Sequence, residues 1–234
     1  MRRALGILLV VLSPIGCGAP AAPASSPAPA PSPSASAAPD IVQIGQPVLR
    51  SRAEEVPKER IATPEFQALV ARMIDTMRKA PGVGLAAPQI GVPLRVIVLE
   101  DREELMSKLT PEERKERERF AFGPRVFVNP VLRPISDGKD DRATFFEGCL
   151  SVRGYVGLVE RSREVEVTGL DEHGVEQVWR VKGWPARILQ HEVDHLDGTL
   201  YVDRMFTRSF SNADEAKKRF AGKPIAEVRK LLGS

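Results

Sequence analysis

Residues 190–198 read QHEVDHLDG and contain the pattern H-E-x-x-H. In a helix, positions four residues apart lie one turn apart on the same face. His191 and His195 can therefore bind one metal ion, and Glu192 beside them is a candidate general base. The alternative is a surface helix with two incidental histidines. Because two of the chain's three histidines fall in this pattern, we favour a metal site for hydrolysis.

The surrounding residues predict a helix over about Pro185–Asp197. Pro185 suits a first helical position, because its missing N–H would have no partner there. Gly198 suits the end, because glycine adopts the left-handed conformation without strain. Apolar contacts at roughly helical spacing come from Ile188, Leu189, Val193 and Leu196.

Two histidines leave a hydrolytic site incomplete, because such centres usually take three protein ligands and one water. After Gly198 the chain reads TLYVD, with no histidine. The remaining histidine, His173, lies in DEHG, which predicts an exposed, inert hairpin turn between strands over 165–170 and 175–181. A third histidine ligand is therefore not expected.

Cys149, in the stretch EGCLS over 147–151, is the other candidate ligand. A free cysteine is often only a small buried apolar residue. It can also form a nucleophile pair with histidine. The H-E-x-x-H helix makes a metal-bound thiolate the preferred interpretation.

A third stretch, GVGLAAPQIG over 82–91, could by itself be a phosphate-binding loop, but no G-K-[ST] follows it. Taken together, GVGLAAPQ, EGCLS and HEVDHLDG resemble the three signature motifs of the peptide deformylases, in the family's order. The resemblance extends over about 41–212. The stretch 183–212, with Trp184, Arg187 and RSFSN, is more similar to the mitochondrial and plastid type than to the commonest bacterial type.

The resemblance implies a metal-dependent hydrolase that acts on a linear formamide and removes the N-formyl group from N-formylmethionyl peptides, releasing formate. One divalent ion would be present, Fe²⁺ in most of the family, with Zn²⁺, Ni²⁺ or Co²⁺ as substitutes. Its implied ligands are Cys149, His191 and His195. Glu192 would take a proton from the attacking water. The side-chain amide of Gln89 and the backbone N–H of Leu150 would stabilise the developing oxyanion.

Other residues have supporting roles in this interpretation. Gly82, Val83 and Gly84 would let the backbone pair with an extended peptide. Arg187 either lines the substrate groove or is a solvated charge. The remaining expectation is that metal-bound histidines donate their other N–H to Glu147 or Asp194, unless Asp194 is an ordinary surface charge.

The predicted fold is α+β, with antiparallel sheets packed around a central metal-binding H-E-x-x-H helix. Thr63 and Pro64 begin a helix that runs to about Lys79. Further predictions are strands over 95–99 and 125–132, a charged exposed helix over 101–119 interrupted at Pro111, and helical stretches over 213–232 broken at 222–224. We divide the chain into a catalytic domain at 41–212 and a tail at 213–234. The basic tail could contact the ribosome, but a solvated tail is preferred.

The N-terminus predicts a different location from the family's. Arg2, Arg3, an apolar run and Ile15-Gly16-Cys17 over residues 1–17 resemble a bacterial secretory signal with a lipoprotein cleavage box, although Pro14 departs from it. Residues 18–40, rich in Ala, Pro and Ser, would form a flexible tether. A lipidated Cys17 would anchor the protein to a membrane. The alternatives are a cytoplasmic enzyme with a wrongly chosen start and, fitting less well, an organellar transit peptide.

Composition adds bounds to these predictions. The formal charge of +3 falls to +1 without residues 1–39, which gives no reason to expect nucleic-acid binding. About 195 residues then remain, enough for one domain with its own core. With Cys17 lipidated, Cys149 would have no disulfide partner.

Two other functions use the same residues. A metallopeptidase would also need the H-E-x-x-H helix, but it would not need the other two motifs. A non-catalytic binding lipoprotein with a structural metal would have no use for Glu192 beside the ion.

Overall fold

The computed structural model describes residues 41–135, 138 and 141–233. The helices in these ranges are α1 (Lys58–Ile61), α2 (Pro64–Lys79), α3 (Glu103–Met106), α4 (Pro111–Glu116), α5 (Trp184–Leu196), α6 (Tyr201–Arg204), α7 (Ala213–Phe220) and α8 (Ile225–Leu232). The strands are β1 (Gly84–Ala86), β2 (Val96–Asp101), β3 (Phe122–Pro134), β4 (Arg142–Cys149), β5 (Val152–Ser162), β6 (Glu164–Leu170), β7 (Glu176–Lys182) and β8 (Ser211–Asn212). Short 3₁₀ turns cover Pro47–Arg50, Ala87–Ile90 and Thr207–Ser209.

Helix α2 begins and ends where its sequence predicts. The Thr63 hydroxyl accepts a hydrogen bond from the Phe66 N–H, and Pro64 occupies the first helical position. One face of the helix carries Phe66, Val70, Met73 and Met77 into the core. Each such fully buried side chain stabilises the fold by roughly 1.5–3 kcal/mol.

The strands form two antiparallel sheets, as predicted. The larger sheet has the order β1-β2-β3-β6-β7, and the smaller has the order β4-β5-β8. The hairpin between β6 and β7 turns at Asp171, whose carboxylate accepts the N–H groups of His173 and Val175. The side chain of His173 is 71% exposed, as predicted for this turn.

Helix α5 packs against both sheets and is the central element of the fold. Its range differs from the predicted 185–197 by one residue at each end. Ala186, Leu189 and Leu196 are fully buried and pack with Phe127 and Val165 of the larger sheet. The predicted arrangement of antiparallel sheets around an H-E-x-x-H helix is confirmed.

The segment 101–119 differs from the predicted exposed helix. It contains two short helices, and Pro111 begins the second instead of interrupting one long helix, because Thr110 caps that helix. The Asp101 side chain is fully buried and accepts two hydrogen bonds from Arg119, whose side chain is 9% exposed. The prediction of exposure was wrong at these positions, since opposite charges that pair can be buried together.

The segment predicted as a solvated tail forms α7 and α8, broken at Gly222 and Pro224 as predicted. Ala216, Phe220 and Val228 are buried in a cluster with Leu158 of β5. This part of the chain therefore packs on the smaller sheet, because its apolar residues share one side despite the surrounding lysines and arginines.

The predicted signal at 1–17 and tether at 18–40 lie outside the described residues. Among the residues that are described, no helix has the length and apolar character needed to cross a membrane.

Candidate active site

The three predicted metal ligands converge. His191 and His195 lie one turn apart on α5, and Cys149 is the last residue of β4. Cys149 Sγ lies 3.3 Å from His195 Nε2, and one ligand atom from each of the three residues lies within 4.8 Å of the others. Sulfur at about 2.3 Å and nitrogen at about 2.1 Å from a tetrahedral metal would be about 3.6 Å apart. The donor set and its spacing therefore fit one divalent ion.

Glu147 orients the first histidine. The Nδ1–H of His191 donates to Glu147 Oε2 over 3.0 Å, which leaves Nε2 for the cluster. Burial alone would lower the pKa of His191, but its hydrogen bonds with Cys149 and Glu147 outweigh that effect and raise it. The predicted role of Glu147 as the histidine's partner is confirmed.

The second histidine has no such partner among the described residues. His195 is 1% exposed, and its Nδ1 is buried without a hydrogen-bond partner there. Burial and the nearby His191 hold the pKa of His195 well below its usual value. A neutral His195 has a lone pair available to bind a metal.

Asp194 was predicted as another partner for a histidine, and this prediction was wrong. It is 7% exposed, so it is not a surface charge either. Its carboxylate binds Arg161 of β5 and Arg204 of α6. The reason is that both carboxylate oxygens of Asp194 are already bound by these two arginines, so neither is paired with a histidine.

Glu192 lies beside the cluster in a buried environment. It is 4% exposed, and its Oε2 has no hydrogen-bond partner among the described residues. Burial raises the pKa of Glu192 to about 7. A carboxylate in this state can both accept and return a proton near neutral pH.

Gly84 provides the space for Glu192. A Cβ built on Gly84 would lie 2.3 Å from Glu192 Oε1, a distance that any side chain would have to relieve. Strand β1 therefore has a glycine at the point where its backbone meets the candidate base.

Gln89 is fixed on the other side of the cluster. Its Oε1 accepts the Ala86 N–H over 2.8 Å, which directs the amide nitrogen toward Cys149 and Ser151. The distances from Nε2 are 3.5 Å to Cys149 Sγ and 3.4 Å to Ser151 Oγ. An amide donor is thus held next to the candidate metal ligands.

A cleft of about 250 Å³ opens onto the cluster. It lies between β1, at the edge of the larger sheet, and β4, at the edge of the smaller sheet. The predicted site residues that line it are Gly82, Val83, Gly84, Gln89, Cys149, Leu150, Arg187, His191 and Glu192. His195 lies beneath, in contact with Cys149.

Arg187 lines the cleft, but its guanidinium already has partners. It is 4% exposed and donates to Glu147 and to the carbonyl oxygens of Val159 and Ala143. Burial lowers the pKa of Arg187 to about 10. The solvated-charge alternative was therefore wrong, while a contact with substrate stays a prediction.

Arg161 and Trp184 are among the residues of the site that were missed from the sequence. Arg161 binds both Glu147 and Asp194, and no local motif marks it because these partners lie 14 and 33 residues away. Trp184 forms part of the cleft wall, and the guanidinium carbons of Arg117 and Arg119 each lie 5.3 Å from its ring centre.

The chain is similar to known proteins over most of this domain. A family model described as polypeptide deformylase matches residues 38–210. Peptide deformylase 1A, chloroplastic, of Solanum lycopersicum is 51% identical over 178 residues, 76% of this chain and 63% of the tomato protein. Peptide deformylase, mitochondrial, of Homo sapiens is 45% identical over 173 residues, 74% of this chain and 70% of the human protein. The chain thus spans less than two thirds of the tomato relative's length.

Solved structures agree with the sequence relatives. A class I type b peptide deformylase from Acinetobacter baumannii has a TM-score of 0.63 at 33% identity, covering 73% of this chain and 100% of that one. A peptide deformylase from Synechococcus elongatus in complex with actinonin has a TM-score of 0.59 at 34% identity, covering 82% and 90%. The matched range 38–210 contains every residue of the cluster and of the cleft.

Proposed function

The chain belongs to the polypeptide deformylase family, hydrolases that remove the N-formyl group from peptides, and we propose that Cys149, His191 and His195 hold the divalent metal ion with which it hydrolyses N-formylmethionyl peptides. The observation that carries this proposal is the convergence of these three side chains at one end of a cleft that also contains Glu192 and Gln89. We propose Fe²⁺ as the ion, and one thiolate with two imidazoles also suits Zn²⁺, Ni²⁺ or Co²⁺.

A bound divalent ion supplies a Lewis acid and lowers the pKa of water toward about 7. Glu192 accepts the proton of the water that attacks the formyl carbon. It then donates this proton to the amine nitrogen of the methionine as the C–N bond breaks and formate leaves. The raised pKa of Glu192 suits both steps, because a group that titrates near the working pH is an effective base and an effective acid.

Negative charge develops on the formyl oxygen during the attack. The amide of Gln89 and the backbone N–H of Leu150 are the proposed donors to it, and one such donor can be worth about 3–4 kcal/mol. The bond from Ala86 fixes the Gln89 amide before substrate arrives, so little reorganisation is needed.

The cleft also suits an extended peptide. Strands β1 and β4 present their edges to it, and the proposed substrate pairs with the backbone of Gly82–Gly84 as an added strand. The apolar parts of the wall fit an unbranched apolar side chain such as that of methionine; they come from Val83, Phe146, Leu150, Trp184 and Ile188.

The experiment is formate release from an N-formylmethionyl peptide by the wild type and Glu192→Gln, with bound metal quantified in both. We expect equal metal content and a fall in kcat of roughly 10²–10⁴-fold in the variant, because the proton acceptor is lost. Glu176→Gln, an exposed position on β7, is the matched control and should retain full activity. Release of new amines from unformylated peptides would favour a metallopeptidase, and metal binding without formate release by any form would favour a binding protein.

The location of the enzyme is a separate proposal that rests on sequence alone. Residues 1–17 resemble a lipoprotein signal apart from Pro14, and on this resemblance we propose lipidation of Cys17 and attachment to a membrane. Cell fractionation and mass spectrometry of the N-terminus test it: an unlipidated protein in the soluble fraction would contradict it. Contact of the basic C-terminal helices with the ribosome stays a prediction.

A further inference from the structure

A buried arginine links the metal cluster to the rest of the smaller sheet. Arg161, near the end of β5, has a side chain that is 4% exposed. Its Nε and Nη2 donate to the two oxygens of Glu147, each over 2.9 Å. Its Nη1 donates to Asp194 over 2.6 Å. One planar group thus holds two carboxylates in fixed directions.

Each of the two carboxylates also binds a second group: Glu147 binds His191, and Asp194 binds Arg204. Glu147 Oε2 accepts the Nδ1–H of His191, so the position of that oxygen sets the orientation of the imidazole. Asp194 receives two bonds of 2.7 Å from Arg204, whose side chain is half exposed. Arg161 therefore binds both Glu147, the partner of His191, and Asp194 on α5, while Arg187 of α5 adds one more bond to Glu147 Oε1.

The shape of the guanidinium matters as much as its charge. Arginine presents its donors in a rigid fork that matches a carboxylate in two places, whereas lysine presents a point charge on a flexible stem. A lysine at 161 could neutralise Glu147 but could not fix both of its oxygens while also reaching Asp194. Arg187 would still bind Glu147 Oε1, but Oε2, which accepts the His191 N–H, would lose its arginine donor. The orientation of the His191 imidazole would then be less restricted.

We propose that Arg161 is a positioning residue of the metal site, which holds Glu147 so that His191 presents Nε2 to the ion. This inference rests on the proposed function, because it takes His191 to be a metal ligand. Residues that orient a metal-binding histidine typically contribute 10–100-fold to metal affinity. We therefore expect Arg161→Lys to weaken metal binding by about this factor.

The test uses Co²⁺ as the probe and the full chain as it exists. The Kd of Co²⁺ is measured by competition with a chelator, and the visible spectrum reports the ligand geometry. Arg161→Lys should bind 10–100-fold more weakly and show shifted d–d bands, while the thiolate-to-cobalt charge-transfer band from Cys149 remains. Arg133→Lys is the matched control, because the exposed Arg133 binds a single carboxylate, that of Glu166, with two donors.

Asp194→Asn is a second variant that tests the role of Arg161 if Arg161→Lys does not fold. Asparagine keeps the size of the aspartate and one acceptor oxygen, but it removes the negative charge that pairs with Arg161 Nη1. Its Kd for Co²⁺ should rise several-fold, with a smaller spectral shift. Thermal unfolding of the metal-free proteins identifies which variants are folded.

The outcomes separate this inference from the proposed function. A wild type that binds Co²⁺ without a thiolate charge-transfer band would contradict the proposed metal site itself. A normal wild type together with a folded Arg161→Lys of unchanged Kd and spectrum would overturn only the role of Arg161. If Arg161→Lys does not fold, an unchanged Kd and spectrum in Asp194→Asn overturns that role in its place.

Discussion

Replacing Gly84 by alanine should disable the enzyme without emptying its metal site. The added Cβ would lie 2.3 Å from Glu192 Oε1 and 2.8 Å from its carboxyl carbon, whereas ordinary contacts begin at about 3.4 Å. The carboxylate would have to move by about 1 Å to relieve this overlap. The three atoms nearest to the added Cβ all belong to Glu192, so the clash falls on the base and metal binding should persist.

The size of the effect follows from this displacement. A misplacement of about 1 Å in a reacting group can cost about 10²-fold in rate. We therefore expect kcat to fall by about 100-fold, equivalent to about 2.7 kcal/mol in the activation barrier. KM should change much less if Glu192 is the group that moves. A rise in KM at constant kcat would instead indicate that Gly84 acts only by pairing with the peptide.

The assay is steady-state formate release at saturating metal, with metal content and thermal unfolding measured on the same samples. Gly123→Ala is the control, because a Cβ at Gly123 would meet no atom within 4 Å. A metal-loaded Gly84→Ala protein whose kcat stays within threefold of the wild type would refute the reasoning.

Three further predictions concern metal and stability. Removing metal with a chelator should abolish formate release, and adding back Fe²⁺, Ni²⁺ or Co²⁺ should restore it; activity that survives complete removal, shown by elemental analysis, would contradict the metal mechanism. Asp101→Asn should lower the free energy of unfolding in urea by roughly 3 kcal/mol, because it leaves the buried Arg119 without its charge partner. The control is Glu103→Gln, which removes an exposed pair and should have no measurable effect. The hydrogen bond and charge of Arg78 hold the pKa of Glu100 below its usual 4.5 despite burial. The ionised Glu100 therefore stabilises the folded state. This stability is complete above the unfolded-state pKa and is lost as the pH falls through the lower folded-state pKa. The difference in unfolding free energy between the wild type and Glu100→Gln should therefore shrink between pH 6 and pH 3, and a constant difference would contradict this assignment.

The elements that sequence predicts best are those whose signals are local. Thr63 and Pro64 define the start of α2 within two residues, and Gly198 marks the end of α5. The H-E-x-x-H spacing places His191 and His195 on one helical face by geometry alone. Cys149 is different, because the residues alone left three interpretations of it. The H-E-x-x-H helix favoured the metal-ligand role, the family resemblance supported it, and the structure then placed the sulfur beside the histidines.

The predictions that failed concern charges with distant partners. Asp194 and Arg161 are 33 residues apart, and Asp101 and Arg119 are 18 apart, so neither pairing follows from a local pattern. A charged side chain read alone predicts exposure, but a paired one can be buried. In α7 the lysines near Phe220 likewise led to a prediction of exposure, although Phe220 is buried in an apolar cluster.

The distance along the chain between Cys149 and His195 gives the cluster a mechanical role. These residues are 46 positions apart, and β5, β6 and β7 all lie between them. An ion bound to both would cross-link the chain and close this stretch into a loop. In the unfolded state, closing a loop of that length costs about 4 kcal/mol of chain entropy, which stabilises the fold by the same amount. Loss of the metal would therefore lower the stability of the fold as well as stop turnover.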